Sequence, residues 1–298
     1  MLSSLILYEE LYLGEYMKMH IIEGNTQKLD GGAMFGHVPK SLWKRWCDCD
    51  AQNRIELATR ALLFQDFEGK NILLEAGVGN FFDPKLSQRY GVLEKEHILL
   101  DNLKKLGFKE EDIDYVILSH LHFDHAGGLL SSYSAHEAPR LLFPNAKFIV
   151  GKEHFIRAQK PHFRDKVSFL PILNKLLLES KRLILLDSKS FEGLENFCEF
   201  NFTYGHTVGL MHSYVRFHDK RIYFASDLIP GVPWVHLPIT MGYDRFPEKI
   251  IEEKKYVLDK IIKDDAYLFF THDSKVPFAK VSCDDYGKYS AMSSSLLP

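Results

Sequence analysis

Three histidines and an aspartate crowd into six positions of one segment, "SHLHFDHAGG", as His120, His122, Asp124 and His125. Imidazole nitrogens and carboxylate oxygens are the groups with which proteins hold zinc and its first-row neighbours. In an extended segment alternate side chains share a face, so His120, His122 and Asp124 can project together. His125 has the opposite parity and joins them only if the chain turns, and Gly127 and Gly128 supply freedom and room for that turn. A lone ion could use His120 and His122; the additional Asp124 and His125 suggest a second ion beside the first. Catalytic zinc usually takes three protein ligands and leaves one position for water, so further ligands must come from elsewhere. Three candidates follow in order: His206 in "YGHTVG", Asp227 ending "IYFASD", and His272 in "YLFFTHD". Each stands where an apolar strand meets a loop, which is where functional groups concentrate.

The elements around them read as alternating strands and helices. "ALLFQDFEGKNILLEAGVG" gives two strands about a turn at Glu68, Gly69 and Lys70. Ile98, Leu99, Leu103 and Leu106 form the apolar stripe of a helix that stops at Gly107. "DYVILS" is a short buried strand running straight into the histidine cluster. "AKFIVGKEH" and "RLILLD" are further strands, with an exposed helical stretch from His162 to Lys181 between them. "HSYVRFHDKRIYFASD" is a hairpin, "EKIIEEKKYVLDKIIKDD" an amphipathic helix, and "AYLFFTHD" a last strand; the polar tail after Cys283 carries no clear signal. Such a pattern predicts packed sheets with helices outside.

Composition narrows the function. Lys and Arg number 37 against 40 Asp and Glu, a net charge of −3, so there is no basic field for nucleic acid. No run of 18 apolar residues crosses a membrane. The first sixteen residues carry Glu9, Glu10 and Glu15 and no basic start, unlike a signal peptide. They read as a peripheral extension before a single domain over 17–298. Cys47 and Cys49 are too close for an easy mutual disulfide, and the four cysteines fit a reduced, cytoplasmic protein. Apolar residues in the extension or in "FEGLENFCEFNF" could serve a homodimer.

The ordered set His120, His122, Asp124, His125, His206, Asp227 and His272 resembles the metallo-β-lactamase superfamily of binuclear hydrolases, from about Leu62 to His272. The resemblance implies an α/β fold, the four-layer αβ/βα sandwich, with the site at one edge between two sheets. It also implies that His120, His122 and His206 hold one divalent ion and that Asp124, His125 and His272 hold the other, with Asp227 bridging. Zinc is the expected metal; manganese, iron and cobalt suit the same ligands. Two cations roughly 3.5–4 Å apart lower the pKa of a shared water from 15.7 towards about 7, giving a nucleophile at neutral pH. Asp124 and Asp227 are the candidate catalytic groups, orienting that water and passing a proton to the leaving group.

The spacing from His206 to Asp227 to His272 looks most like the quorum-quenching N-acyl homoserine lactonases, and the expected substrate is a lactone or another carboxylic ester. Phosphodiesters, organophosphates and sulfate esters form the alternative on the same site. A mononuclear-iron redox enzyme and a non-catalytic binding module are disfavoured by the complete ligand set. Three departures from the family pattern stand out. Glu75 replaces the usual aspartate in "LLEAGVG", where it is expected to support the ligands from behind. Leu210 replaces the second histidine of the common G-H-T-x-G-H turn, and Pro230 stands where lactonases often have a tyrosine. Tyr243 could reach the site instead. Trp234 and His236 of "GVPWVHLPITMGYD", with Met34 and Phe35 of "LDGGAMFGHVPKSLW", are the expected walls of a substrate pocket.

Overall fold

The computed structural model describes residues 17–294, so the expected sixteen-residue extension lies outside the described residues. Strands follow in chain order as β1 (Lys18–Ile22), β2 (Gln27–Asp30), β3 (Arg54–Leu57), β4 (Ala61–Phe67), β5 (Lys70–Leu74), β6 (Tyr115–Leu118) and β7 (Lys147–Gly151). They continue as β8 (Leu183–Leu186), β9 (Cys198–Thr203), β10 (Leu210–Phe217), β11 (Lys220–Phe224), β12 (Tyr267–Phe269), β13 (Phe278–Cys283) and β14 (Tyr289–Ser293). One six-stranded sheet has the order β1-β4-β5-β6-β7-β8, the other β14-β13-β12-β11-β10-β9, while β2 and β3 pair separately.

Side-chain alternation along the strands makes the layers. On β4, Leu62 and Phe64 point into the core between the sheets, where they join Ile72, Ile117, Phe200, Met211, Ile222 and Phe269. Ala61 and Leu63 point the other way, with Val116 and Phe148, onto Leu99, Leu103, Phe155, Leu173 and Leu177 of the outer helices. The second sheet repeats this: Leu210, Tyr223 and Leu268 face Ile250, Val257 and Ile261 of the helix Pro247–Lys263. Helix, sheet, sheet, helix is the expected four-layer sandwich. Among the described residues no helix is long and apolar enough to cross a membrane.

Several expectations are corrected. The apolar residues of "FEGLENFCEFNF" are not a free surface: Leu194, Phe197, Cys198 and Phe200 fill the core between the sheets. Leu106 ends its helix exposed, because Leu99 and Leu103 already meet the sheet. The tail after Cys283 carries β14, which pairs with β13 through backbone bonds that its polar sequence does not advertise. The histidine segment is extended only to His122, after which Phe123–Ala126 is a helical turn. That turn brings His125 round to the ligand side.

The strand ends position the site. Glu75 follows β5, His120 follows β6, His206 lies between β9 and β10, Asp227 follows β11 and His272 follows β12. β5 and β6 are parallel neighbours, as are β11 and β12, so these loops leave their sheets at common ends, where α/β proteins bind ligands. Glu75 (φ +68°) and Ser226 (φ +47°) take left-handed backbone, at a cost of roughly 1–3 kcal/mol each. Gly127 does not: its φ is −61°, and the use of both glycines is close approach rather than unusual torsion. A Cβ at Gly128 would run into the Ala76 carbonyl oxygen, and one at Gly127 into that of Val78.

Gly128→Ala should therefore destabilise the protein by roughly 2 kcal/mol or more, read as a fall of several degrees in Tm. An unchanged Tm would mean that the two loops are not held in contact.

Candidate metal centre

The seven candidates converge from both sheets. His120 Nε2 lies 3.1 Å from His122 Nδ1, and His206 Nε2 lies 3.2 Å from the same nitrogen. On the other side His125 Nε2 and His272 Nε2 are 3.0 Å apart, with an Asp124 oxygen 3.6 Å from His272. Between the groups sits Asp227. Its Oδ2 is 3.3 Å from His206 Nε2 and 4.0 Å from His120 Nε2. Its Oδ1 is 3.1 Å from His272 Nε2 and 3.2 Å from His125 Nε2. The ligand atoms of His120, His122, His206 and Asp227 all lie within 4.8 Å of one another, as do those of Asp124, His125 and His272.

The outer nitrogens decide what the inner ones offer. His272 Nδ1 lies 2.7 Å from the Ala58 carbonyl oxygen, which only accepts, so that nitrogen carries the hydrogen. His206 Nδ1 donates likewise to Asp244 Oδ1 at 2.9 Å. His120 Nδ1 meets Ser119 Oγ at 2.8 Å, and His125 Nδ1 meets Ser226 Oγ at 3.3 Å. A neutral imidazole with its hydrogen outside turns a lone pair inward. Lone pairs facing one another at about 3 Å repel unless a proton or cation stands between them. Asp227 Oδ1 is buried without a hydrogen-bond partner, an orphan that a cation would satisfy. The residues present fit a pair of divalent ions.

Electrostatics point the same way. Burial, reinforced by neighbouring imidazoles, pushes His120 and His122 well below the usual histidine range, so both are neutral. Burial opposes ionisation of Asp227, but His125, His272 and His206 outweigh it and hold the carboxyl well below its ordinary range. Burial also opposes charge on His125, yet Asp227, Asp124 and Glu75 raise it well above normal. A cation at that end takes the proton's place, so metal uptake releases protons.

The supporting and substrate residues divide. Glu75 is fully buried; its Oε1 accepts from the Ser119 N–H at 3.0 Å and its Oε2 lies 3.6 Å from His125 Nδ1. Its left-handed backbone turns the longer side chain back behind the ligands. Tyr243 keeps 41% of its surface exposed, and burial together with the Asp124 charge pushes its phenol up to about 12. The Asp124 charge is thus felt at Tyr243, whose side chain is open to solvent. Met34 and Phe35 are corrected from pocket walls to interior packing, whereas Trp234, itself buried, also lines a cavity. Phe35 has no exposed surface, being stacked on Trp234 at 4.6 Å and Trp43 at 5.4 Å, and the Trp234 indole donates to the Met34 carbonyl at 3.0 Å. His236 packs on Trp46, a residue of the cavity wall, at 5.7 Å between ring centroids. A cavity of about 630 Å³ lined by Trp46, Val232, Trp234 and Val276 reaches the centre only at His272.

Sequence reasoning missed Asp244, Ser119 and Ser226. The serines directly precede a ligand, and adjacency was the available signal; Asp244 had none beyond following Tyr243.

Fold and site together define a metal-binding αβ/βα sandwich with ligands from both halves. Residues 55–272 match the metallo-beta-lactamase superfamily, and the chain belongs to that superfamily. An N-acyl homoserine lactonase of Bacillus thuringiensis is 25% identical over 61% of this chain and 64% of its own length. One from Bacillus cereus is 34% identical over 29% of this chain, so the chain matches only 30% of that relative's length. A solved structure, a probable metal-dependent hydrolase from Staphylococcus aureus, has a TM-score of 0.82 at 28% identity, covering 96% of this chain and 99% of that one. A dizinc quorum-quenching lactonase in complex with a product shares the fold at a TM-score of 0.72 and 22% identity, covering 96% and 97% of the two chains.

Since converging lone pairs need cations, chelation should lower Tm and added zinc or manganese should restore it, by mass action on the folded state. A Tm indifferent to chelator and metal alike would refute a metal role for the cluster.

Proposed function

We propose that the chain is a binuclear metal-dependent hydrolase that opens a lactone ring, with acyl-homoserine lactones the first substrates to try. The observation that carries this reading is the placement of Asp227, whose Oδ2 faces His206 at 3.3 Å and His120 at 4.0 Å while its Oδ1 faces His272 and His125 at 3.1 and 3.2 Å. His120, His122 and His206 would hold one ion, Asp124, His125 and His272 the other, with Asp227 shared. Zinc suits this nitrogen and oxygen donor set. When bound, such ions supply Lewis acidity, which ionises water near neutral pH and polarises an ester carbonyl.

The chain's own groups do the rest. The Asp227 carboxylate, held ionised by its histidines, accepts a hydrogen bond from the attacking water and orients it. Asp124, with 13% of its side chain exposed, is the ligand carboxylate open to a substrate and can carry a proton to the leaving alkoxide. Tyr243, exposed and with a phenol that stays protonated at neutral pH, is the candidate donor to a substrate oxygen. The ester chemistry is supported by the lactonase relatives. The free cysteines Cys47, Cys49, Cys198 and Cys283 are in keeping with a reducing, cytoplasmic setting.

Zinc- or manganese-loaded protein should release acid from a panel of γ-lactones, and Asp227→Ala should lower that rate at least roughly a hundredfold while folding normally. Activity confined to phosphotriesters or phosphodiesters would overturn the choice of substrate. Full lactonase activity in metal-depleted Asp227→Ala protein would overturn the mechanism.

A further inference from the structure

Three buried histidines, His97, His154 and His212, belong to neither group of ligands, and His154 is the one whose ring lies against His120 and His122. His154 opens the helix Lys152–Gln159 just after β7 and has no exposed surface. Both of its nitrogens are engaged by backbone. Nε2 accepts the Leu121 N–H at 2.8 Å, and Nδ1 lies 3.0 Å from the Val208 carbonyl oxygen, to which it must donate. The bonding fixes one tautomer, and burial, its largest influence, pushes the group down to about 3, so the ring is neutral. Neither nitrogen retains a lone pair for a metal.

The two anchored residues are telling. Leu121 separates His120 from His122, and Val208 lies two residues beyond His206. The ring centroid lies 5.8 Å from that of His120 and 6.4 Å from that of His122. The contact is close-built on both sides: a Cβ at Gly209 would come 2.8 Å from the His154 amide nitrogen, and one at Gly151 would come 2.9 Å from the Gly209 carbonyl oxygen. A second tie, Met211 N–H to the Ser119 carbonyl at 2.9 Å, joins the same segments outside the ligands.

We propose that His154 is a positioning residue which spaces His120 and His122, carried by the first sheet, against His206, carried by the second, and so sets the three-histidine half of the metal centre. This rests on the metal reading given above. Supporting groups of this kind change metal affinity without touching the ion. His154 differs from Asp244 and Ser119 in holding backbone rather than a ligand ring, so it governs the distance between two loops.

Zinc titration with stoichiometry by elemental analysis tests the idea in full-length His154→Leu and His154→Gln. The leucine leaves the Leu121 N–H and Val208 carbonyl unpaired; the glutamine amide can both accept and donate. His154→Leu should weaken one of two zinc equivalents by roughly ten- to hundredfold and leave the other intact, with substantial recovery in His154→Gln. Added to His272→Ala, which leaves only the three-histidine half competent, His154→Leu should weaken the single remaining equivalent by the same factor. Two equivalents of wild-type affinity in His154→Leu would overturn the proposal. So would both equivalents weakening together with a lower Tm and no rescue by glutamine, the signature of a general structural role. A wild-type chain that takes up no zinc would instead overturn the metal reading itself before any variant is compared.

Discussion

Like-signed lone pairs gathered around one buried carboxylate are the constraint on which the rest of this structure turns. Five imidazoles and two aspartates bring their acceptor atoms to within a few ångströms, and the outer hydrogen bonds of His206 and His272 commit their hydrogens to the far side. Such a cluster is unfavourable by itself and becomes favourable around cations. It persists only where the backbone over-determines it. The two left-handed residues, Glu75 and Ser226, and the glycines that admit neighbouring carbonyls are the local signs of that over-determination.

The sandwich supplies what a single sheet could not. His120, His122, Asp124 and His125 come from the end of one sheet, and His206, Asp227 and His272 from the end of the other. The core between the sheets sets the distance across which they meet, through Phe64, Ile117, Met211 and Phe224. Metal bound there would join the two halves at their shared edge, so stability and site geometry are coupled.

The sequence made the converging cluster legible because metal binding restricts residue type and spacing together, and each distant candidate closes a readable apolar strand. Glu75 was legible only through the family resemblance, as the residue standing in for an aspartate. The pocket walls were legible only in part: Trp234 lines a cavity, Met34 and Phe35 do not. Proline-rich loops with tryptophan and phenylalanine look alike whether they line a cleft or fill a core, and only the stacking of Phe35 between Trp43 and Trp234 decides between them. The β13–β14 pairing rests on backbone bonds with few apolar residues, so periodicity has little to report. Asp244 and His154 act across 38 and 54 residues, on His206 and Val208 respectively, and such pairings exist only after folding.

His206 shows how far the support extends. The helix Pro247–Lys263, an outer layer by its apolar face, reaches this ligand by two polar routes. Glu253 accepts from the Tyr204 and Gly205 N–H groups at 2.8 and 2.9 Å, fixing the backbone just before His206. Lys254, fully buried, donates to the Trp234, His236 and Ile239 carbonyls at 2.9, 2.8 and 2.7 Å. Burial pushes its ammonium down to about 7, against the Asp244 charge, which favours the ionised form. The loop it clasps leads to Asp244, which accepts from the Met241 N–H at 2.7 Å and from His206 Nδ1. Hydrogen bonds to charged groups contribute about 1.5–3 kcal/mol each, so these are substantial restraints. One helix thus fixes the backbone before the ligand and steadies the loop whose carboxylate orients its ring, which makes the outermost layer part of the metal site's geometry.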